Sequence, residues 1–252
     1  MTSKPKLSVV ITSYNEKENI ERGVLQEIAD YLSTVDYSWE VIINDDGSTD
    51  GSRQMIEKFV NQHSGFKFIK GNHGGKAAGL LNGINKAKGD IILFTDVDQS
   101  TPLKEVAKLL PYYDQGYDLV FGSRGKARQN FPWYRQIMSW GFRVIRQLFL
   151  LRGVSDTQCG FKSLRGKLAK EIFPELSVIK QAGDVSGWNV SAFDVELLFL
   201  AEKRGAKLKE VDVIWQDEDI STTKSKNFIK ESFDMLKQIL AVKYHDLQGK
   251  YD

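Results

Sequence analysis

Two aspartates that flank a single residue carry the clearest chemical signal in the sequence. Asp96 and Asp98, on either side of Val97, directly follow the apolar run Ile91–Thr95. In an extended segment alternate side chains face the same side, which would place the two carboxylates about 6 to 7 Å apart. Mg²⁺ and Mn²⁺ favour one or two carboxylates together with phosphate oxygens, so the pair suits such a cation. Two acids in a turn are otherwise commonly solvated, and the position after a strand is what favours a metal site.

A second acidic turn and a glycine-rich segment could hold a nucleotide. Asp45–Ser48 follows the apolar run Trp39–Asn44, and a carboxylate there can accept hydrogen bonds from a base or ribose. The same turn also suits a helix cap, and the two roles are compatible. Gly71–Gly79 opens a helix whose backbone N–H groups could approach a phosphate, although a tight turn explains it equally well. The fingerprints of P-loop and dinucleotide-binding proteins are absent from the sequence.

The elements around these segments predict an α/β fold with a doubly wound, mostly parallel sheet and helices on both faces. Ligands of such sheets bind beyond the carboxyl ends of the strands, where Thr12–Glu16, Asp45–Asp46 and Asp96–Asp98 fall. The predicted strands are Leu7–Thr12, Trp39–Asn44, Phe66–Lys70, Ile91–Thr95 and Asp118–Gly122. The predicted helices between them are Glu18–Leu32, Ser52–His63, Lys76–Lys88 and Leu103–Gln115.

The second half of the chain has a less regular pattern. Helical spacing predicts helices at Arg135–Arg152, Phe193–Arg204 and Phe228–Tyr244, and Val211–Trp215 is predicted as a strand. The first of these helices is both apolar and basic, which is typical of a helix lying in a membrane interface, and a core-packed helix with exposed arginines is the other interpretation. The segment DTQCGF is predicted as a loop or short strand.

Composition excludes several classes of protein. The 252 residues are 41% hydrophobic and 27% charged, an ordinary globular composition that one domain can accommodate. A single cysteine, Cys159, excludes an intramolecular disulfide, and three histidines without a spaced pair argue against a zinc site. The N-terminus is interpreted as a first strand and not as a signal peptide. No apolar stretch reaches the roughly 18 to 20 residues of a membrane span, so we expect a soluble or peripheral protein.

Charge is distributed unevenly along the chain. Between Leu119 and Lys170 there are eleven Lys or Arg residues and one acid, Asp156. Such a segment favours an anionic partner, namely phosphate, lipid headgroups or nucleic acid, and a solvated basic face is the alternative. Only charge supports nucleic acid, so none is expected as a partner.

The motifs, taken in order, resemble a known family. They are SYNEKENI, DDGSTDGS, NHGGKAAG, DVDQST, GSR, DTQCGF, FDVEL and a late SK pair. From Leu7 to Leu236 the chain resembles the family 2 glycosyltransferases, and within them the branch of dolichyl-phosphate glucosyltransferases and mannosyltransferases. The resemblance implies one GT-A domain over residues 1–252. It further implies a nucleotide-sugar-binding half at 1–122 and an acceptor-binding half at 123–252, which holds the interfacial helix at about 135–152.

The resemblance also implies roles for individual residues. Asp96 and Asp98 would bind the divalent metal, Mg²⁺ or Mn²⁺, and through it the donor diphosphate. Arg124 and Arg135 would meet phosphate groups of donor or acceptor, and they join Asp96, Asp98 and Asp194 in the implied catalytic set. The implied nucleotide-sugar-binding residues are Thr12, Tyr14, Glu16, Asn44, Asp46, Lys76, Asp96, Val97, Asp98, Gln158 and Lys226, with Lys224 as a competitor of Lys226.

Two positions depart from the family pattern. Gln99 directly follows the second aspartate, whereas mannosyl-transferring relatives carry a glutamine one position later, which favours the glucosyl branch. Extra residues stand between Trp188 and Phe193, where relatives have a compact Gly-Trp-Ala-Phe, and this changes the loop on the acceptor side.

The nature of the acceptor decides whether a base is needed. A sugar hydroxyl must lose a proton to a general base, whereas a lipid phosphate is already an anionic nucleophile. Asp194 and Glu196 are the obvious bases for a hydroxyl, but two residues apart on a helix they do not share a face. An orienting role for Asp194 and a cap or pairing role for Glu196 are the other interpretations.

The resemblance therefore predicts an inverting transferase that moves a hexose from a nucleotide-diphosphate sugar to polyprenyl or dolichyl phosphate. UDP-glucose is the favoured donor and GDP-mannose the next. We expect a cytoplasmic protein, peripherally associated with the cytoplasmic face of a membrane. The alternatives are a family 2 enzyme acting on a saccharide or protein hydroxyl, a nucleotidyltransferase, and a relict sugar-nucleotide-binding protein.

Overall fold

The computed structural model describes residues 5–125, 153–180, 193–216 and 228–251. Several sequence predictions lie outside these ranges. They are Arg135, Lys224, Lys226, the interfacial helix at about 135–152 and the altered loop before Phe193.

A mixed sheet of seven strands organises the described residues. Its order is β3-β2-β1-β4-β6-β5-β7, and β6 runs antiparallel to both of its neighbours while the other pairings are parallel. The strands are β1 Leu7–Ser13, β2 Trp39–Asp45, β3 Phe66–Lys70, β4 Ile91–Asp96, β5 Leu119–Ser123, β6 Lys162–Arg165 and β7 Leu208–Asp212. The predicted mostly parallel α/β sheet is confirmed.

Helices cover both faces of the sheet. In chain order they are α1 Lys17–Glu21, α2 Val24–Ser33, α3 Ser52–Gln62, α4 Lys76–Lys86, α5 Val106–Leu109, α6 Pro111–Asp114, α7 Gly166–Ile172, α8 Ser177–Lys180, α9 Phe193–Lys203 and α10 Phe228–Leu247, with short 3₁₀ turns at Leu103–Glu105 and Phe173–Glu175. Apolar residues of α1, α2, α3, α5 and α6 form the core on one face. Those of α4, α7, α8, α9 and α10 form the core on the other. This two-sided burial explains why the central strands are nearly continuous apolar runs.

Register brings the polar ends of three strands into one row. Thr12 of β1 pairs with Asn44 of β2 on one side and with Asp96 of β4 on the other. Side chains alternate along strands, so these three lie on the face that α4 covers, together with Val10 and Ile42 of the core. The parallel register therefore places the sequence-predicted polar turns at one edge of the sheet.

Several predicted boundaries are corrected. The helix predicted over Glu18–Leu32 is divided by Gly23, which has φ +98°. The helix predicted over Leu103–Gln115 is divided into a 3₁₀ turn, α5 and α6, and Pro111 begins the last piece. The helical pieces on both sides of each interruption still contribute apolar residues to the core, such as Ile20 and Val24 around Gly23.

The strand predicted at Val211–Trp215 lies earlier, at Leu208–Asp212. Pairing with β5 sets its bounds, since Leu208 lies opposite Leu119 and Asp212 opposite Ser123. As the last strand in the sheet order, β7 is only partly buried, so its polar residues Lys209 and Glu210 are tolerated there. An apolar window does not detect such an edge strand.

Candidate active site

The turn after β4 holds the paired aspartates in a fixed shape. Gln99 occupies a left-handed conformation with φ +52°, its side-chain amide donates to the carbonyl of Asp96 (2.9 Å), and its side-chain oxygen accepts from the N–H of Leu103 (3.0 Å). The guanidinium of Arg22 donates to the Asp98 carbonyl at 2.6 Å. The side chains of Gln99 and Arg22 bind backbone atoms of the turn, so they hold its conformation without using the carboxylates of Asp96 and Asp98.

The two carboxylates differ in exposure. The side chain of Asp96 is 42% exposed, whereas Asp98 is 9% exposed and its Oδ1 accepts from the N–H of Ser100 at 2.9 Å. The Val97 side chain between them is buried in the core on the opposite face. The Val97 side chain cannot reach the site, so only its backbone could take the predicted part in donor binding.

Lys76, the first residue of α4, reaches Asp96. Its ammonium lies 2.5 Å from Asp96 Oδ1. Burial lowers the pKa of Lys76, but Asp96, Asp194 and Asp98 together outweigh burial, and the pKa of Lys76 is raised above its ordinary value. Lys76 is therefore in direct contact with Asp96, and the charges of Asp194 and Asp98 also favour its protonated form.

Glycines allow the close approach that makes this pairing possible. A methyl group at Gly83 of α4 would lie 2.3 Å from Val10 Cγ1 of β1, and one at Gly79 would lie 2.8 Å from Thr12 Cγ2. A methyl group at Gly160 would lie 2.1 Å from Asp96 Oδ2. Any larger residue at these positions would displace the helix or the carboxylate.

Asp46 holds the glycine-rich loop that precedes α4. Its carboxylate is buried and accepts from the N–H groups of Gly74 (2.8 Å) and Gly75 (2.9 Å). His73 Nδ1 lies 3.1 Å from the same carboxylate, and the His73 ring stacks on Tyr14 with centroids 4.4 Å apart. The predicted nucleotide residues Tyr14 and Asp46 are thus joined through this loop.

The loops after β1 and β2 are also tied to each other. The N–H of Asn15 donates to Ser48 Oγ, and the Asn15 side chain accepts from the N–H of Thr49, both at 2.9 Å. Glu16 is buried and accepts from the Asn19 side chain at 2.6 Å. These contacts fix the loop that carries Tyr14.

Asn44 is fully buried, and within the described ranges neither atom of its side-chain amide has a hydrogen-bond partner. The amide lies beside Gly71 and Gly79, where added methyl groups would come within 3.3 and 2.9 Å of its nitrogen. A buried amide without a partner is uncommon and favours a polar ligand or water. This agrees with the predicted role of Asn44 at the base or ribose, and the role itself stays a prediction.

On the other side of Asp96, Arg124 forms a bidentate ion pair with the buried Asp156, at 2.7 and 2.9 Å. Burial lowers the pKa of Arg124, and the hydrogen bonds and charge of Asp156 outweigh it, so the pKa is raised. The two carboxylate oxygens of Glu210 accept from the N–H groups of Ser155 and Asp156. Gln158 is exposed on the same loop and its N–H donates to Asp156.

The two acids of α9 have separate environments. Asp194 Oδ1 lies 2.5 Å from the ammonium of Lys162, which is fully buried and also donates to the carbonyl of Cys159. Glu196 is buried and accepts from Ser177 and from the hydroxyl of Tyr251. Asp194 therefore lies near the site, while Glu196 holds the C-terminal segment, in agreement with its interpretation as a pairing residue.

Sequence reasoning missed two residues that shape the site, Gln99 as a brace and Lys162, and it included Gly160 only as part of the segment DTQCGF. In the sequence, Gln99 stands out only as a departure from the family pattern. Lys162 does carry a signal, since a lysine beside apolar residues in a short strand predicts a buried ion pair. Gly160 carries no signal of its own, because its neighbour Asp96 is remote in sequence.

The carboxylates of Asp96 and Asp98 fit a hard divalent cation. Asp96 Oδ2 lies against Gly160, where a methyl group would come within 2.1 Å of it, so the absence of a side chain at Gly160 makes room for this carboxylate. Among the residues in the described ranges, no group of three or more His, Cys, Asp or Glu side chains could hold a metal. Two carboxylates with substrate phosphates are the arrangement that Mg²⁺ and Mn²⁺ commonly adopt, so the donor set suits a cation that arrives with a diphosphate.

Curated proteins of similar sequence share a name. Dolichyl-phosphate beta-glucosyltransferases are 29% identical in Dictyostelium discoideum (96% of this chain, 75% of the relative) and 29% identical in Saccharomyces cerevisiae (97% and 76%). The one from Drosophila melanogaster is 30% identical over 85% of this chain and 68% of the relative. The predicted resemblance to this branch is confirmed.

Solved structures agree in fold. A mannosyltransferase from Pyrobaculum calidifontis in complex with GDP-Man and Mn²⁺ has a TM-score of 0.61 at 17% identity and covers 97% of this chain and 66% of its own. Glucosyl-3-phosphoglycerate synthase from Mycobacterium tuberculosis, with Mn²⁺, UDP and glucosyl-3-phosphoglycerate, has a TM-score of 0.58 at 19% identity and covers 94% and 78%. The GT-A fold is confirmed.

The model of the family described as "Glycosyl transferase family 2" matches residues 8–173. The chain therefore belongs to glycosyl transferase family 2 and is a glycosyltransferase.

Proposed function

We propose that the protein transfers glucose, with inversion, from UDP-glucose to a polyprenyl or dolichyl phosphate. The observation that carries the proposal is the cluster of Asp96, Asp98 and Lys76 at the carboxyl edge of the sheet. Relatives named dolichyl-phosphate beta-glucosyltransferase, which align with most of this chain, support the choice of sugar and acceptor. In the proposed division, residues 1–122 bind the donor and residues 123–252 bind the acceptor.

Asp96 and Asp98 would hold a divalent cation, Mg²⁺ or Mn²⁺, together with the donor diphosphate. Such a cation neutralises the charge that develops on the leaving diphosphate as its bond to the sugar breaks. Two solved relatives are described as Mn²⁺ complexes, which supports a divalent cation here. Gln99 and Arg22 contribute by keeping the turn rigid, since a loosely held site loses much of its electrostatic effect.

Donor orientation falls to the loops after β1 and β2. The ring of Tyr14 and the unpartnered amide of Asn44 offer the nucleotide an aromatic surface and a hydrogen-bonding group. Asp46 acts by fixing the Gly74–Gly75 turn, which sets the position of Lys76. The ammonium of Lys76 would then bind a phosphate oxygen of the donor.

The acceptor side favours a phosphate nucleophile. Lys162 holds the Asp194 carboxylate in an ion pair, which suits an orienting role better than that of a base for a hydroxyl. A lipid phosphate needs cations beside it and no base. Arg124 is fixed near Asp194, within a segment rich in Lys and Arg, and could supply such a cation.

Access to a lipid would come from the apolar and basic segment at about 135–152. We propose that it places the enzyme on the cytoplasmic face of a membrane as a peripheral protein. Within the described residues, no helix combines the length and apolar character needed to cross a bilayer.

A transfer assay with defined donors and acceptors tests the proposal. Purified protein with Mg²⁺ or Mn²⁺ is given UDP-glucose or GDP-mannose, each with a short polyprenyl phosphate or an oligosaccharide. We expect a glucosyl lipid from UDP-glucose, with the opposite anomeric configuration to the donor. Transfer only to the oligosaccharide would contradict the acceptor and favour a hydroxyl-directed enzyme. Donor binding without transfer to either acceptor would favour a relict binding protein.

A further inference from the structure

The ion pair between Lys76 and Asp96 occupies the carboxylate that a metal would need. The ammonium lies 2.5 Å from Asp96 Oδ1, and the Lys76 side chain is only 18% exposed. Because this side is shielded from solvent, the pair is screened less than one on the open surface. A divalent cation that approached Asp96 alone would have to displace this ammonium or accept its repulsion.

The surrounding charges neutralise a lone divalent cation only in part. Asp96, Asp98 and Asp194 contribute three negative charges, while Lys76 and the buried Lys162 contribute two positive charges. The cluster therefore has a formal charge of minus one before anything binds. A divalent cation alone would reverse that sign, whereas a cation with a doubly charged diphosphate would leave it unchanged.

We propose that Lys76 blocks Asp96 against a lone divalent cation and releases it when a donor diphosphate offers the ammonium a second anionic partner. Metal and nucleotide would then bind as a pair, and Lys76 couples the two events. The inference rests on the proposed function only for the presence of a metal and a diphosphate, and it is independent of the acceptor.

The backbone around Lys76 limits how this exchange can happen. Lys76 begins α4, and the loop before it is held by the Asp46 carboxylate through Gly74 and Gly75. Gly83 packs α4 against β1 without a gap, so the helix has little freedom to move. The exchange therefore needs only a rotation of the flexible Lys76 side chain from a carboxylate to a phosphate at the same helix N-terminus.

Manganese binding to the nucleotide-free protein measures the block directly. The free Mn²⁺ signal in electron paramagnetic resonance gives the dissociation constant for wild type, Lys76→Met, Lys76→Arg and Lys67→Met. Lys67→Met is the matched control, because it also removes a lysine from an ion pair. Lys67 lies 2.5 Å from Glu40, near the N-terminal ends of β2 and β3 and therefore away from the site. Asp96 is 42% exposed, so water can solvate it when Lys76 is replaced, and thermal unfolding of each variant checks that the fold is intact.

We expect Lys76→Met to bind Mn²⁺ about tenfold more tightly than wild type in the absence of nucleotide. Lys76→Arg and Lys67→Met should resemble wild type. Adding UDP should tighten Mn²⁺ binding in wild type by a larger factor than in Lys76→Met, because the block has already been removed in the variant. Unchanged or weaker Mn²⁺ binding by Lys76→Met would overturn the inference. Because no acceptor is present, failure to glucosylate a lipid would leave these results unaffected.

Discussion

Three neighbours define the position of Asp96 at the scale of single residues. Lys76 pairs with its carboxylate, Gln99 donates to its carbonyl, and Gly160 leaves room for Oδ2. Its partner Asp98 is held through a hydrogen bond to Ser100. The ability of Asp96 and Asp98 to bind a cation therefore depends on the neutral and basic neighbours that position the two carboxylates.

Gly160→Ala is the sharpest test of this arrangement. The new methyl group would lie 2.1 Å from Asp96 Oδ2, so the carboxylate must leave its present position. We expect Mn²⁺ binding in the presence of UDP to weaken by at least about tenfold, measured by calorimetry.

Gly116→Ala is the control for a general loss of stability. Gly116 has φ +83° and open space around it, so alanine there costs about 1–2 kcal/mol of backbone strain without touching the site. If both variants lost Mn²⁺ binding equally, or if Gly160→Ala bound normally, the proposed role of the space beside Asp96 would be wrong.

Residue types predicted part of this site. The spacing of Asp96 and Asp98 after an apolar run predicts a paired carboxylate site, and the structure places Asp96 at the end of β4 and Asp98 in the turn that follows. Asp45 shows the limit of such reasoning. It is adjacent to Asp46, but it lies on the opposite face, where Arg53 binds its carboxylate, and no local pattern in the turn distinguishes the two.

At the scale of elements, the close packing of α4 on the sheet brings Lys76 to Asp96. Gly79 and Gly83 face the sheet one helical turn apart, and they allow α4 to lie directly on β1 and β2. Glycine in a helix interior lowers stability by about 0.5–1 kcal/mol relative to alanine, so its presence on this face indicates a packing requirement. The approach brings the first residue of α4, Lys76, within reach of Asp96.

Gly83→Ala should therefore destabilise the protein in spite of alanine's better helix propensity. The added methyl group would lie 2.3 Å from Val10 Cγ1 in the core. We expect the free energy of unfolding to fall by about 1–3 kcal/mol in urea titrations. Asn82→Ala, at the neighbouring exposed position of the same helix, should leave it unchanged or slightly higher. Equal stability of Gly83→Ala and wild type would show that α4 is free to move.

The pattern of apolar residues predicts the first five strands better than it predicts β6 and β7. Strands β1, β2, β4 and β5 are predicted to within one residue of their bounds, because two-sided burial makes them apolar runs, and the edge strand β3 is predicted at Phe66–Lys70 from its alternating apolar residues. The antiparallel β6 contains Lys162 and Arg165, which are balanced by Asp194 and Asp118 across the fold. Such remote partners are invisible in a local window, so β6 is not predicted by the sequence, and the loop or short strand predicted for DTQCGF ends just before it.

At the scale of the whole molecule, the order of the strands brings distant segments to one edge. The central position of β1 and β4 places the turns after β1, β2 and β4 side by side, although Tyr14 and Asp98 are far apart in sequence. The strand β6 then returns the chain in the opposite direction, so that Gly160 and Lys162 meet Asp96 and Asp194. The residues proposed to bind donor and acceptor thus lie at one sheet edge, and this arrangement supports the proposed transfer between them.

The central claim is that this edge carries out metal-dependent transfer of glucose. The most direct measurement is the rate of glucosyl-lipid formation from UDP-glucose and polyprenyl phosphate, compared for wild type, Asp98→Ala and Asp114→Ala. Asp114, an exposed aspartate of α6, serves as the control for loss of one carboxylate. We predict that Asp98→Ala lowers the rate by at least about a hundredfold while Asp114→Ala does not change it. A rate for Asp98→Ala close to that of wild type would contradict the assignment of this edge as the active site.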